Sequence, residues 1–570
     1  MLSPTDILKK YWHYNQFRPQ QEEIIMHVLS DKDTLAILPT GGGKSICYQL
    51  PALLFEGSCL VVSPLIALMK DQVLGLEQRG IKSLAVHSGM HSDEVRMVYE
   101  KMSTGLYKFL FVSPERLKSI LFLDYLSDFN IRLIAIDEAH CISQWGYDFR
   151  PSYLDIALIK KSLPNAPMIA LTASATPLVQ KDIIDKLEFK NHSTFFSTFA
   201  RPNLSFSSFE VENKLAKTID ILQKIKGTCL VYCKNRKRTK HIADALNSAG
   251  LIADFYHAGL DQDLRSLKQE NWIDNKTNIM VCTNAFGMGI DKADVRCVIH
   301  YDIPDTPESY YQEAGRAGRD GKKSYAVLLF QKHDLIDLHD GILLKYPAIE
   351  TIKNIYESLA FYLDIGLNDG LESVSDFDVA DFCKKFNFNI LETLSAIKIL
   401  EQQGYWTLSD SAYIASKISV VCTKEELASL EQFHPDLDEI MQHVLRLYVG
   451  IWHHYTTISE LEIAQHARVG KDYVELKLRQ LNSLGLIHYL ESTTMPQLFY
   501  LHNRLPKKHL IIDIELIERL RKNHENRVAF MIDFAEQKIT CRAIKLVGYF
   551  EEELHLPCGI CDICLINKQN

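Results

Sequence analysis

The sequence predicts an α/β protein with two lobes built on parallel sheets, followed by smaller α+β units and a helical, cysteine-rich C-terminal module. Two successive series of short apolar runs alternate with amphipathic stretches, which is typical of buried parallel strands separated by helices. After about residue 345 this alternation stops and a repeated pattern of helices and strands begins. Four of the 13 cysteines then lie within the last 30 residues.

The composition is that of an ordinary globular protein. The chain has 570 residues, too many for one core, and we expect roughly three to five domains. A net charge of −9 argues against a surface that is basic throughout, although a local basic groove stays compatible with it. Because the chain shows neither a signal-peptide pattern nor a long apolar run, we expect a cytoplasmic protein without a membrane partner.

Two lobes are predicted in the first part of the chain. The runs TLAIL, CLVVS, FLFVS, LIAID and MIALT predict the strands of a first lobe, residues 1–198. The runs CLVYC, IADFYH, NIMVCT, CVIHYD and AVLLF predict those of a second lobe, residues 199–344. The segment FARPN interrupts the pattern between them. Strands that alternate with helices in this way build parallel sheets that helices cover.

A glycine-rich loop follows the first strand, in the sequence LAILPTGGGKS. Glycines let backbone N–H groups approach phosphate oxygens, Lys44 adds a point charge, and the Ser45 hydroxyl can ligate Mg²⁺. Leu38 stands where the strict phosphate-loop pattern has its first glycine, so a coincidental glycine turn is the alternative. We favour a site for ATP and Mg²⁺ that comprises Thr40, Gly41, Gly42, Gly43, Lys44 and Ser45.

A pair of carboxylates follows another buried strand, in the sequence LIAIDEAH. Asp137 and Glu138 stand at the carboxyl end of that strand, where open α/β sheets bind ligands. Phosphoryl transfer depends mainly on positioning and charge neutralisation, so Asp137 is predicted to hold Mg²⁺ and Glu138 to orient the attacking water. Two solvated carboxylates at a strand end are the alternative, which the glycine loop upstream disfavours.

The sequence DEAH followed by CISQWGYDFRP resembles the RecQ family of superfamily 2 DNA helicases, and the resemblance extends over about residues 10–340 and 541–564. It implies that both lobes are RecA-like motor lobes, which use ATP to move along single-stranded DNA. The segment YNQFRPQQEEII resembles the adenine-recognition segment of the family. This implies that Tyr14 stacks on the base while Arg18 and Gln21 read its polar edge.

The segment from Ser143 to Arg150 resembles the aromatic-rich loop of the family. Bases of any sequence can stack on Trp145 and Phe149, and the loop would report bound DNA to the hydrolysis site. Core packing is the alternative for Trp145. The commonest family form has His where Tyr147 stands, and Tyr lacks the second nitrogen of an imidazole. The residues predicted to contact DNA or couple it to hydrolysis are Ser143, Gln144, Trp145, Asp148, Phe149 and Arg150.

Further motifs extend the resemblance through both lobes. VSPLIALMKDQ and VSPERL resemble motifs that touch the DNA backbone, and LTASATP resembles the coupling motif, with Ser174 where Thr is usual. SYYQEAGRAGRDG resembles motif VI. Its Gln312, Arg316 and Arg319 have helical spacing, which predicts one common face toward the γ-phosphate. The resemblance implies that Arg316 or Arg319 is the arginine finger.

An internal repeat predicts two tandem winged-helix units, over residues 345–425 and 426–505. In each copy a short helix precedes a longer amphipathic helix, a glycine (Gly404 or Gly485) stops that helix, and an apolar strand follows. A further apolar segment, AYIAS in the first copy and QLFYL in the second, is expected to complete each wing. A generic helical linker domain is the alternative.

The last four cysteines predict a metal site. Four thiolates suit a closed tetrahedral zinc site, although a short CxxCxxC also occurs in iron–sulfur proteins. The full spacing, with KLVGYFEE between the first two cysteines, resembles the RecQ zinc module and implies Zn²⁺ within residues 506–570. The predicted ligands are Cys541, Cys558, Cys561 and Cys564.

This module is expected to be a helical hairpin that docks on the second lobe. A helix over about 509–537 should pair with one over 541–550, while residues 345–505 form a looped-out insertion. So short a segment has too little core without its metal. The longer helix carries a basic face, for which contact with DNA phosphates and simple solvation are both open: Arg519, Arg521, Lys522 and Arg527.

Together these features predict an ATP-driven 3′→5′ DNA helicase of repair or recombination, associated with the nucleoid. The direction of movement is implied by the resemblance alone. The expected partners are single-stranded DNA, duplex junctions and repair proteins. Two alternatives stay open: a DNA-binding regulator whose motor has decayed, which the intact ATP-site residues disfavour, and an RNA helicase, which the aromatic-rich loop and the zinc cluster disfavour.

Overall fold

The computed structural model describes residues 3–39, 41–87, 90, 92–260, 262–286, 292–408, 416–423, 426–427, 430–448, 450–452, 455–492 and 495–569. Thr40, residues 287–291 of the segment that follows the third predicted strand of the second lobe, and all of AYIAS but Ser416 lie outside the described residues. No helix in the described part of the chain combines the length and the apolar character that a membrane crossing requires.

The first lobe is built on a seven-stranded parallel sheet in the order β3–β4–β2–β5–β6–β1–β7. All five predicted strands are confirmed, and β3 and β7 extend the sheet at its edges. Alternate residues of β1 and β2 enter two separate apolar cores, since helices cover both faces. The strands are β1 (Thr34–Ile37), β2 (Ser58–Val62), β3 (Ser83–Val86), β4 (Phe109–Val112), β5 (Ile131–Ile136), β6 (Met168–Thr172) and β7 (Ser193–Phe196).

The second lobe has a six-stranded parallel sheet in the order β10–β11–β9–β12–β13–β8. Its five predicted strands are confirmed, and β8 adds an edge that the sequence pattern did not predict. The strands are β8 (Leu204–Glu210), β9 (Thr228–Tyr232), β10 (Ala253–Tyr256), β11 (Ile279–Cys282), β12 (Val295–His300) and β13 (Ser324–Phe330).

Helices connect the strands of both lobes. Those of the first lobe are α1 (Pro4–Trp12), α2 (Gln21–Leu29), α3 (Lys44–Leu54), α4 (Ile66–Glu77), α5 (Ser92–Ser103), α6 (Ile120–Tyr125), α7 (Ile156–Ser162) and α8 (Pro177–Lys186). Those of the second lobe are α9 (Lys214–Lys224), α10 (Arg236–Ser248), α11 (Gln262–Ile273), α12 (Pro307–Ala314) and α13 (Lys332–Lys345).

The winged-helix region contains two units with separate apolar cores. The outer unit comprises α14 (Ile349–Tyr362), β14 (Val374–Asp376), α15 (Val379–Phe386), α16 (Ile390–Gln402), β15 (Trp406–Leu408) and β19 (Gln497–Tyr500). The inner unit comprises β16 (Lys417–Val420), α17 (Leu430–Phe433), α18 (Pro435–Leu447), β17 (Thr456–Thr457), α19 (Glu460–Ala467), α20 (Lys471–Ser483) and β18 (Ile487–Leu490). Both long amphipathic helices end two residues before the predicted glycines, which have φ of +83° and +70°.

The two units are nested instead of consecutive, which corrects the predicted order and the predicted boundary at residue 425. The segment QLFYL forms β19, which pairs antiparallel with β14 and β15 of the outer unit. The inner unit completes its own sheet with β16, which pairs with β17 and β18. The inner unit therefore replaces the tip of the outer unit's β15–β19 hairpin. The predicted order was wrong because both copies of the repeat contain a similar apolar segment. A hydrophobic pattern alone does not determine which strand a given strand pairs with.

The C-terminal module docks on the second lobe, as expected. Its helices are α21 (Ile514–Glu536), α22 (Arg542–Tyr549) and α23 (Asp562–Gln569). The ring of Phe550 stacks on that of Phe199 with centroids 4.1 Å apart. On the edge strand β8, the Ser205 hydroxyl donates a hydrogen bond to the carbonyl of Ile560, and the Ser208 amide donates to the carboxylate of Asp562 at 3.0 Å. The module thus covers an otherwise open sheet edge.

The winged-helix region packs against the rest of the protein, so the looped-out arrangement is wrong. Lys417, at the start of the inner unit, forms an ion pair with Glu94 of the first lobe. The guanidinium of Arg116 lies 5.3 Å from the ring centre of Phe499. In addition, Ile517 of α21 belongs to the apolar core of the outer unit. Deleting the whole winged-helix region would expose apolar surface of α21.

Candidate active site and nucleic-acid interface

The predicted ATP-site residues of the two lobes line one cleft. In the first lobe the phosphate loop follows β1, the two carboxylates follow β5, and Tyr14 and Arg18 lie between α1 and α2; those of the second lobe lie on α12 or directly after it. The cleft holds a cavity of about 330 Å³. Its walls include Tyr14, Arg18, Gly41, Gly43, Lys44, Ser45, Asp137, Glu138, Gln312, Arg316 and Arg319.

The phosphate loop leads into α3, whose first residue is Lys44. Gly41 and Gly43 have φ of +81° and +76°, in the left-handed region that favours glycine. A side chain on Gly41 would also collide with Arg319, whose Cδ and Nε lie 2.5 Å from the Cβ position. Because the N-terminus of a helix attracts anions, the start of α3 is suited to a phosphate group. The loop leaves room for an arginine from the other lobe.

The predicted adenine-recognition residues lie beside the phosphate loop. The Gln21 side-chain amide donates to the carbonyls of Gly42 and Gly43, both at 3.1 Å, and Arg18 donates to the carbonyl of Gly41. Gln21 is only 2% exposed, whereas the Tyr14 ring is 49% exposed at the mouth of the cavity. Stacking of Tyr14 on a base stays a prediction. Recognition of adenine by Gln21 would require it to exchange these backbone hydrogen bonds for new ones.

Asp137 and Glu138 occupy the end of β5. The Tyr153 hydroxyl donates to the Asp137 carbonyl at 2.9 Å and fixes the backbone there. Burial raises the pKa of Asp137 above its usual range, and the neighbouring Glu138 adds to this effect while Lys44 opposes it. Two carboxylates in a desolvated cleft favour a bound cation, which relieves their mutual repulsion.

The segment carrying Gln312, Arg316 and Arg319 differs from the prediction of one helical face. Helix α12 ends at Ala314, and both arginines lie in the turn that follows, where Gly318 has φ of +65°. The prediction of one helical face was wrong because the helix stops before Gly315, which lies between Gln312 and Arg316. All three side chains still reach the cleft.

Gln312 links the two lobes. Its amide donates to the hydroxyl of Tyr147 at 2.8 Å and to that of Ser174 at 3.0 Å, so both departures from the usual family residues meet at this side chain. The Tyr147 ring stacks on His140 with centroids 4.6 Å apart, and His140 Nδ1 lies 3.3 Å from a carboxylate oxygen of Glu138. Burial lowers the pKa of His140, which favours a neutral imidazole. A continuous chain of contacts therefore joins Glu138 of the first lobe to Gln312 of the second.

The aromatic-rich loop carries one member of this chain of contacts, Tyr147. Trp145 is half-buried, but Phe149 is only 2% exposed, so the expectation that bases stack on Phe149 is not met in this arrangement. Ser143 is also fully buried. Arg150 donates to the carboxylate of Asp148 at 3.1 Å, which ties the end of the loop together. Alternation of aromatic and polar residues did not reveal which ring turns inward.

Elements from outside the first lobe contact this loop. Lys398 of α16 lies 3.3 Å from Asp148; although burial acts in the opposite direction, Arg150 and Lys398 lower the pKa of Asp148. On α21, Arg519 and Arg527 donate hydrogen bonds to the loop, whereas Arg521 pairs with Glu525 of its own helix and Lys522 is exposed. The predicted basic face is therefore not one surface: two of its four residues contact the loop and the other two face solvent. Sequence reasoning missed Lys398, since no local pattern signals a contact so distant in the chain.

The four predicted cysteines form a compact cluster. Their sulfur atoms all lie within 4.8 Å of one another. A tetrahedral zinc site with Zn–S bonds of about 2.3 Å places its sulfurs about 3.8 Å apart. The Sγ atoms of Cys558 and Cys564 are 4.0 Å apart, and those of Cys541 and Cys561 are 3.9 Å apart. Hydrogen bonding with Cys558 lowers the pKa of Cys561, which favours the thiolate that binds metal. The residues fit Zn²⁺.

Four family descriptions match successive parts of the chain. A DEAD/DEAH box helicase domain matches residues 18–183, and a helicase conserved C-terminal domain matches residues 213–321. A RecQ helicase winged-helix domain of Bacteroidota matches residues 418–491, and a RecQ zinc-binding domain matches residues 506–565. The winged-helix match coincides with the inner unit, which agrees with the nested arrangement.

Curated relatives match mainly the two lobes. The ATP-dependent DNA helicase RecQ of Bacillus subtilis is 45% identical over 333 residues, which cover 58% of this chain and 56% of the relative. That of Pasteurella multocida is 39% identical over 381 residues, which cover 67% of this chain and 58% of the relative. The chain thus spans little more than half the length of these relatives. The crystal structure of the DUF1998 helicase MrfA bound to DNA has a similar fold, with a TM-score of 0.50, 18% identity, and coverage of 59% of this chain and 50% of that one.

Proposed function

Because the chain belongs to the RecQ family of superfamily 2 helicases, we propose that it is an ATP-dependent 3′→5′ DNA helicase. It would move along single-stranded DNA and unwind duplexes in repair or recombination. The observation that carries the proposal is the cleft in which Lys44, Asp137 and Glu138 of one lobe face Arg316 and Arg319 of the other. Direction and pathway are inherited from the family resemblance.

Each of the cleft residues would have a separate role in ATP hydrolysis. Lys44 and the backbone of the phosphate loop would bind the phosphates, and Ser45 and Asp137 would hold Mg²⁺, which neutralises phosphate charge when bound. Glu138 would orient the attacking water. Arg316 or Arg319 would stabilise the charge that develops on the γ-phosphate, and the contact of Arg319 with Gly41 supports this role.

DNA would influence hydrolysis through the aromatic-rich loop. The half-buried Trp145 offers a stacking surface, and Tyr147 of the same loop lies in the chain of contacts between Glu138 and Gln312. A base that moves Trp145 would therefore move residues that touch the hydrolysis site and both lobes. This arrangement supports coupling of DNA binding to ATP turnover.

Unwinding of tailed duplexes tests the proposal. The purified protein, ATP and Mg²⁺ would be mixed with duplexes that carry a 3′ or a 5′ single-stranded tail, and with matched RNA duplexes. We expect unwinding of the 3′-tailed DNA and little of the others, because a 3′→5′ motor loads on a 3′ tail. Unwinding of the 5′-tailed DNA alone would contradict the direction, and absence of DNA-stimulated ATP hydrolysis would contradict the function.

A further inference from the structure

Helix α21 of the zinc module lies against the aromatic-rich loop of the first lobe. Arg519 donates to the side-chain oxygen of Gln144 at 2.8 Å, and its guanidinium lies 6.0 Å from the ring centre of Trp145. Arg527 donates to the backbone carbonyl of Trp145. Two consecutive loop residues are thus held by a helix that lies more than 350 positions later in the chain.

Arg527 also contacts the second lobe. Its Nε donates to the Glu308 carboxylate at 3.1 Å, and the Tyr549 hydroxyl donates to the same oxygen at 2.8 Å. The side chains of Arg527 and Glu308 are only 11% and 5% exposed, so this ion pair is sheltered from solvent. Glu308 lies on α12, the helix that also carries Gln312. One guanidinium therefore joins the zinc module, the motif VI helix and the loop.

We propose that Arg527 and Arg519 are positioning residues through which the zinc module holds the aromatic-rich loop against motif VI. The module would then set the DNA concentration at which ATP hydrolysis is accelerated. This inference rests on the proposed function, because it assumes that DNA stimulates turnover. The planar guanidinium suits the role, since its several N–H donors serve a carboxylate and a carbonyl at once, which a lysine ammonium does less well.

The contacts separate this role from support of the module's own fold. Within the module, the four cysteine sulfurs cluster together, and Arg542 forms an ion pair with Asp562 and donates a hydrogen bond to the Phe534 carbonyl, contacts that involve neither of the two positioning arginines. Arg521 lies on the same helix but is 46% exposed and pairs with Glu525. Arg521 is therefore a matched control that changes the charge of α21 without touching the loop.

Titration of ATP turnover with DNA tests the inference in the full-length, zinc-containing protein. The variants are Arg527→Gln, Arg527→Lys, Arg519→Gln and the control Arg521→Gln, with a single-stranded oligodeoxynucleotide as the probe. For each we would measure basal turnover, the KM for ATP, zinc content, and the DNA concentration that gives half-maximal stimulation. Zinc content and basal turnover report on the fold and the ATP site, and the half-maximal DNA concentration reports on the loop.

For Arg527→Gln we expect the half-maximal DNA concentration to rise about tenfold or more, because charge-assisted hydrogen bonds are lost. Arg527→Lys and Arg519→Gln should show a smaller rise, and Arg521→Gln none, all with unchanged basal turnover, KM and zinc content. Unchanged DNA dependence in Arg519→Gln and both Arg527 variants would overturn the inference, as would a parallel loss of zinc and basal turnover in all three. If the wild-type protein is not stimulated by DNA, the proposed function itself fails.

Discussion

Lys44 is predicted to bind the phosphates of ATP, and it borders the cavity beside both carboxylates. We predict that Lys44→Ala lowers ATP turnover about a hundredfold or more, because it removes a charge that stabilises the transferring phosphate. Binding of single-stranded DNA should persist, because Lys44 is predicted to contact phosphate and not the DNA that the aromatic-rich loop binds. Turnover assays and fluorescence anisotropy would measure both, with Lys101→Ala on the exposed side of α5 as the control. Normal turnover would overturn the site assignment.

Trp145 tests whether the loop senses DNA. Its ring is half-buried and bordered by the Arg519 guanidinium, so it can meet a base without being part of the phosphate chemistry. We predict that Trp145→Ala keeps basal ATP hydrolysis and lowers DNA stimulation and unwinding. The loss of one stacked base, worth about 1–3 kcal/mol, corresponds to a weaker DNA dependence of about five- to a hundredfold. An equal collapse of basal turnover would show that Trp145 serves the core.

Tyr147 tests the link between the lobes. The change Tyr147→Phe keeps the ring that stacks on His140 and removes the hydroxyl that accepts a hydrogen bond from Gln312. One neutral hydrogen bond contributes about 0.5–1.5 kcal/mol, so we expect DNA-stimulated turnover to fall about two- to tenfold. The KM for ATP should not change. Tyr147→His, which introduces the usual family residue, should retain more activity than Tyr147→Phe; equal turnover in all three proteins would argue against the link.

At the scale of secondary-structure elements, the pairing of β15 with β19 indicates which segment of the winged-helix region can be deleted without unfolding the protein. Leu408 pairs directly with Leu498, so the ends left by excision of the inner unit are already neighbours. We predict that replacing residues 410–495 with Asn-Gly leaves a folded, zinc-containing ATPase, because a short glycine-containing turn suits antiparallel strands. Circular dichroism, zinc content and ATP turnover would measure the outcome. Removal of residues 345–505, the control, should destabilise the protein because it also removes apolar partners of Ile517.

The same elements show which structural features could be predicted from the sequence alone and which could not. Continuous apolar runs predicted the central strands of both lobes. Residues of the predicted phosphate loop border the cleft, and the four predicted cysteines lie together. Local patterns did not reveal that β19 pairs with β14 and β15, because any similar apolar strand would have fitted. They also did not show that Phe149 turns inward or that Arg527 is buried. Both outcomes depend on residues from distant parts of the chain.

At the scale of the whole molecule, the zinc module shares a core with the motor. Phe534, Phe550 and the predicted zinc ligand Cys561 belong to the same apolar cluster as residues of both lobes. We predict that Cys561→Ser lowers zinc content and also lowers the melting temperature of the motor lobes, because metal binding contributes to folding free energy. Scanning calorimetry and zinc analysis would measure this, with Cys422→Ser, far from the cluster in sequence, as the control. An unchanged motor transition would show that the module unfolds independently.

The nesting of one winged-helix unit in another also sets an order of folding. When β15 pairs with β19, the chain between them is closed into a loop, which costs conformational entropy. A folded inner unit shortens that loop, because Lys417 and Leu490 pair at its base and bring its two ends together. By the usual dependence of closure entropy on loop length, this lowers the cost of closing the outer sheet by roughly 1–2 kcal/mol. During synthesis β18 leaves the ribosome before β19, so we expect the inner sheet to close first and the amide protons of the outer sheet to gain protection from exchange after those of β16 and β18.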